Sequence, residues 1–165
     1  MQSTSLLTMI LMLQTGGQAS DAKVDVKIVK FESLTQAIKA SKSKFTVAYC
    51  WAIYDAPAKA AFPGIAKMQA KLKEKSVALI AVNVNGGTKQ EERVRQFLTE
   101  SKVRFPNFIL DEDAEGWSTK LAIGAEPAFV IFDENGKRIA SFDATLQEDL
   151  IPAVEKKLEA LLGKK

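Results

Sequence analysis

Between Tyr49 and Pro63 the chain sets out one thiol (Cys50), one carboxylate (Asp55), one amine (Lys59) and both of its tyrosines (Tyr49 and Tyr54). A second carboxylate, Glu126, stands directly before Pro127. The chemistry open to such a set is limited. Histidine is absent, so there is no imidazole base, no Ser-His or Cys-His nucleophile and no histidine-ligated metal. The single cysteine excludes an internal disulfide, a dithiol couple and a thiolate metal cluster. Cys50 lies in an apolar run from Phe45 to Trp51, where alternation implies burial and an inert thiol. Asp55 has the spacing of a helix N-cap, where a carboxylate meets backbone N–H groups and the helix dipole.

The elements around these residues follow from periodicity. Val24, Val26 and Ile28 alternate with Asp25 and Lys27 in a first strand, and Ser33 is placed to cap a short helix carrying Leu34, Ala37 and Ile38. The strand from Phe45 to Trp51 runs into the reactive stretch. Apolar residues at helical spacing then reach about Lys75, with Pro63 predicting a kink one turn in. Val77 to Val84 is a continuous apolar run, the pattern of a strand covered on both faces. It is broken by Asn85-Gly86-Gly87. Helix from Lys89 to Glu100, a short strand ending at Leu110 and helix from Ala114 to Leu121 follow. Asp133-Glu134-Asn135-Gly136 predicts a hairpin between the strands 127–132 and 138–142. Leu146 to Leu162 reads as a closing amphipathic helix. The order is β-α-β-α-β-α-(β-α)-β-β-α, a single α/β domain with helical crossovers first and an antiparallel hairpin last.

At the N-terminus, residues 1–22 have a short apolar run (Leu6 to Leu13) followed by the small residues Gly17, Ala19, Ser20 and Ala22. This is the pattern of a signal peptide, although no Lys or Arg precedes the run. Residues 23–165 then form the mature domain, with no membrane span and a destination in the periplasm or outside the cell. The formal charge of +3 is scattered over solvated helical faces, which predicts no nucleic-acid partner.

This order, with a strand-turn-helix centre and a proline before the hairpin, resembles the thioredoxin-like superfamily. The closer likeness is to the exported thiol-disulfide oxidoreductases of the TlpA and ResA kind, with the broader redoxin group behind them. Their Trp-Ala-x-Trp-Cys-x-Pro-Cys-Lys/Arg motif is matched in register by Trp51, Ala52, Ile53, Tyr54, Asp55, Ala56, Pro57, Ala58 and Lys59, with Phe62 and Pro63 beyond. Val82-Asn83-Val84, Phe105-Pro106 with Leu110-Asp111, and Pro127 to Asp133 match further family segments, over about residues 30 to 162. The resemblance implies a three-layer α/β/α sandwich with a mixed central sheet. It also implies a cis peptide before Pro127 and a groove that takes extended chains, built from Trp51, Tyr54, Asp55, Pro57, Glu126 and Pro127. In the resembled fold Glu126 faces the turn, which implies a proton-sharing or cation-binding pair with Asp55; that pair lacks a third acid, and Lys59 is placed to neutralise it.

The departures sit where the reaction would be. Asp55 and Ala58 occupy both cysteine positions, and Tyr49 occupies the site of the buried acid of thioredoxins proper. The attacking thiolate and the resolving thiol are therefore both missing. The expectation is a redox-inactive exported module that binds a peptide or protein partner, with no cofactor and no metal. The alternative is a divergent oxidoreductase or peroxidase acting through Cys50 or a partner's thiol.

Overall fold

The computed structural model describes residues 24–85, 87–146 and 149–163, so the signal-peptide expectation over 1–22 lies outside the described residues. Six strands form one sheet: β1 (Val26–Val29), β2 (Phe45–Trp51), β3 (Val77–Asn83), β4 (Asn107–Leu110), β5 (Ala128–Asp133) and β6 (Arg138–Asp143). Their spatial order is β1-β4-β3-β2-β5-β6. The pairs β1–β4, β4–β3 and β3–β2 are parallel, whereas β2–β5 and β5–β6 are antiparallel. The most apolar strands, β2 and β3, thus lie in the middle, where both faces need cover.

Among the described residues, six helices supply that cover. The first is α1 (Phe31–Ala40); the stretch after the central turn holds α2 (Ala56–Ala60) and α3 (Phe62–Lys73). The remaining three are α4 (Glu91–Glu100), α5 (Ala114–Leu121) and α6 (Leu150–Leu162). Strand alternation sorts the side chains into two cores. Val47, Tyr49 and Trp51 of β2 join Phe62, Ile65 and Met68 of α3, Val94 and Leu98 of α4, and Val154 and Leu158 of α6. Ala48 and Cys50 point the other way, toward Leu34 and Ile38 of α1 and Trp117 and Leu121 of α5. The result is the expected three-layer sandwich with a mixed sheet.

Three local expectations are corrected. Ser33 lies inside α1 and caps nothing; the helix begins at Phe31, behind Lys30, with no side-chain cap from its own segment. Its first N–H is satisfied instead by Glu112 Oε1 at 2.8 Å, a carboxylate from the segment after β4, the strand beside β1. Pro63 does not kink a continuous helix. The break falls at Ala61, and Pro63 occupies the first turn of α3, where its missing N–H costs least. The closing helix starts at Leu150, behind the N-cap Asp149, and Leu146 is left exposed on the preceding loop. The predicted hairpin forms as expected. Asp133 Oδ1 accepts from the N–H groups of Asn135 (2.9 Å) and Lys137 (2.8 Å), and Gly136 takes the left-handed φ of 72°.

Candidate functional site

The C-terminal ends of β2 and β3 face the start of β5, and three loops meet there. The first is the turn after Trp51. Ala52 and Ile53 are buried, while Tyr54 projects outward at 60% exposure. Asp55 closes the turn, its N–H donating to Ala52 O at 3.1 Å. It is the N-cap of α2: Asp55 Oδ1 accepts from Ala58 N at 3.3 Å. Both carboxylate and backbone are thus engaged in starting the helix.

Ala58, at the second motif position, is fully buried. Tyr49 reaches it from beneath, its hydroxyl donating to Ala58 O at 2.8 Å. Burial and the nearby Asp55 charge hold the Tyr49 phenol well above its ordinary range, so it remains neutral. At the site where thioredoxins proper carry a buried acid, this chain has a neutral donor committed to the first turn of α2.

The second loop leads into β5 through a cis Glu126–Pro127 peptide. Both residues are half-buried. The third loop follows β3 and carries Asn85. Tyr54 joins all three: its Oη donates to Glu126 Oε1 at 2.6 Å and accepts from Asn85 Nδ2. Burial, followed by the hydrogen bond to Glu126, pushes the Tyr54 phenol up to about 12. Beneath this bridge the side-chain amide of Asn83, itself buried, lies between Ile53 N at 3.3 Å and Asn85 O at 2.9 Å. Asp143 of β6 anchors the approach to Pro127, accepting from Gly124 N at 2.7 Å, from Thr145 N at 3.0 Å and from the Thr145 hydroxyl. The Thr145 hydroxyl bond, first among these, holds the Asp143 carboxyl below its usual range.

The residues singled out in the sequence divide as follows. Tyr54, Glu126 and Asn85 are drawn together, with Asp55 beside Tyr54 in the same turn and Pro57 exposed on α2. Trp51 is not on this surface. It is only 1% exposed and packs against Phe62 and Phe97 at centroid separations of 4.9 and 5.3 Å, because it belongs to the face of β2 that the α3 and α4 helices cover. Lys59 does not neutralise Asp55 and Glu126; its ammonium lies 5.9 Å from the Phe97 ring centroid. Glu126 is bonded to Tyr54 and Asp55 to the helix, and among the described residues no group of three or more metal-ligating side chains converges. Cys50 is fully buried on the opposite face of β2, paired in register with Ala128. Burial, then the Glu126 charge, pushes its thiol up to about 12, far from a reactive thiolate.

Asn85, Asp143 and the role of Tyr49 were not legible in the sequence. Asn85 stands in the break after β3 and reads as a turn residue. Asp143 acts on a loop 19 positions away in the chain. Chemically, the surface offers carboxylates, a phenol, an amide and the backbone of the loop before β5, and among the described residues it carries no thiol.

No family model matches this chain. It is similar to the thioredoxin-like protein YneN of Bacillus subtilis, with 29% identity over 124 residues that make up 75% of this chain and 68% of the relative. Among solved structures it is similar to a putative thiol:disulfide interchange protein DsbE from Chlorobium tepidum. That likeness has a TM-score of 0.60 and 25% identity, and covers 76% of this chain and 85% of the other. A secreted Mycobacterium tuberculosis disulfide oxidoreductase, described as homologous to Escherichia coli DsbE, superposes with a TM-score of 0.54 at 17% identity. There the coverage is 73% of this chain and 85% of the other. The chain has the thioredoxin-like fold of the thiol-disulfide oxidoreductases. It carries that fold with one cysteine, placed outside the motif.

Proposed function

We propose that this chain is an exported, redox-inactive thioredoxin-like domain. It binds an extended segment of a peptide or protein partner at the surface formed by Tyr54, Asp55, Pro57, Glu126 and Pro127. The observation that carries this reading is the state of the two motif positions. Asp55 is spent as a helix cap, and Ala58 is buried with its carbonyl held by Tyr49. Neither a carboxylate nor a methyl group can attack a disulfide or resolve a mixed one. What persists around them is recognition chemistry: an exposed aromatic ring, a carboxylate and the main chain of the loop before β5, all suited to an added strand. Export is supported by the leader pattern of residues 1–22.

The test is capture of partners from a cell-envelope extract by the native protein and by a Tyr54→Ala/Glu126→Ala double variant. Both positions lie outside the two cores, so the variant keeps its fold. The reading predicts a protein retained by the native form and lost by the variant. Equal retention by both would contradict it. Nothing in the structure favours the alternative of chemistry at Cys50, whose thiol is buried and without a second thiol.

A further inference from the structure

At the opposite end of the sheet, where β2, β3 and β4 begin, lies a cavity of about 330 Å³. It is distinct from the surface around Tyr54, which sits at the strands' other ends. Its size falls at the lower end of small-molecule sites, which run from about 300 to 1,000 Å³. Ile38 of α1, Ile80 of β3 and Phe108 of β4 contribute apolar walls. The polar lining is confined to hydroxyls, among them those of Ser41 and Thr46, to the Gln69 amide, and to a single charged group, Lys73. No acidic side chain lines it.

Thr46 is the informative member. It is 1% exposed, yet among the described residues the sole partner of its hydroxyl is Ser41 Oγ at 3.5 Å, well beyond the roughly 2.5–3.0 Å of a good O–H···O bond. A buried hydroxyl so loosely held leaves hydrogen-bonding capacity unused, at a cost a polar guest would relieve. It does so inside a cavity of mixed apolar and hydroxyl lining that carries one cation. Lys73 takes part in no ion pair among the described residues. We infer that this cavity is a binding site for a small amphiphilic anion, specifically a medium-chain monocarboxylate. The chain of such a ligand lies against Ile38, Ile80 and Phe108, and its carboxylate is held by Lys73 and the Thr46–Ser41 hydroxyls. A dicarboxylate or a cation is disfavoured, because one end meets only hydrocarbon and the other meets a lysine.

The experiment is a titration of the ¹⁵N-labelled full chain with sodium octanoate, followed by amide shifts. Expected are saturable shifts at Thr46, Ala78 and Phe108, with Tyr54 unmoved. 1-Octanol, which has the same apolar chain without the charge, is expected to bind about tenfold more weakly. Lys73→Glu, at an exposed position that leaves the fold intact, should weaken octanoate about tenfold and leave octanol unchanged. The inference is overturned by the absence of saturable shifts, by shifts scattered over the surface, or by octanol binding as tightly as octanoate. Octanoate binding unaffected by Lys73→Glu would overturn it equally. Because the titration reads neither thiol chemistry nor partner capture, its outcome is independent of the function proposed above.

Discussion

Two buried side chains beneath the motif, Tyr49 and Cys50, are neighbours in sequence and face opposite cores, and each decides something different about the site. Tyr49 ties β2 to α2 through one hydrogen bond to Ala58 O. Tyr49→Phe keeps the ring packing against Phe62 and Phe129 but leaves that buried carbonyl without its partner. A loss of about 1–2 kcal/mol is expected by urea denaturation. Cys50 gives a pH signature. Its pKa rises from 9.0 to about 12 in the folded protein, so as the pH climbs the unfolded chain releases this proton first. The thiol therefore adds no slope below pH 9.0 and reduces stability between pH 9.0 and about 12. Denaturation midpoints followed through that window should fall less steeply in Cys50→Ala, by one proton's worth of slope. Burial of Cys50 was readable from the apolar run around it. The bond from Tyr49 to Ala58 was not, because it joins a strand to a helix turn through a backbone atom that carries no sequence signal.

At the scale of elements, strands and amphipathic helices follow their periodicity closely, since each owes its place to one buried face. Helix starts follow it less well. Glu112 caps α1 from another segment, and no pattern local to Phe31 reveals that carboxylate. The β5–β6 hairpin is the opposite case, with all its signals inside five residues. Gly136 there has φ 72°, and a Cβ would sit 2.9 Å from Thr35 Cγ2 of α1. Gly136→Ala is therefore expected to cost at least about 1–2 kcal/mol through the left-handed backbone alone, measured by thermal or urea unfolding. The candidate site was legible to the extent that it rests on one element. Tyr54, Asp55 and Pro57 come from a single turn and helix, whereas Asn85 and Asp143 join only through the sheet order. The burial of Trp51 was not legible, because a strand's last residue can face either the core or the mouth of the sheet, and here it packs on Phe62 and Phe97.

Over the described residues the molecule is a thioredoxin-like sandwich with one packed core on each face of its sheet, and its motif turn is held by structure in place of reactive groups. Fold and reaction are separable: the strand order, the turn and the loop before β5 need no cysteine, and function has to be argued from the site. That separation is open to one direct measurement. Reduction of insulin disulfides by the purified chain, with dithiothreitol as electron source, should proceed no faster than with dithiothreitol alone, and native Cys50 should resist iodoacetamide until the protein is unfolded. Catalysed turnover that disappears in Cys50→Ser would contradict the account at its centre.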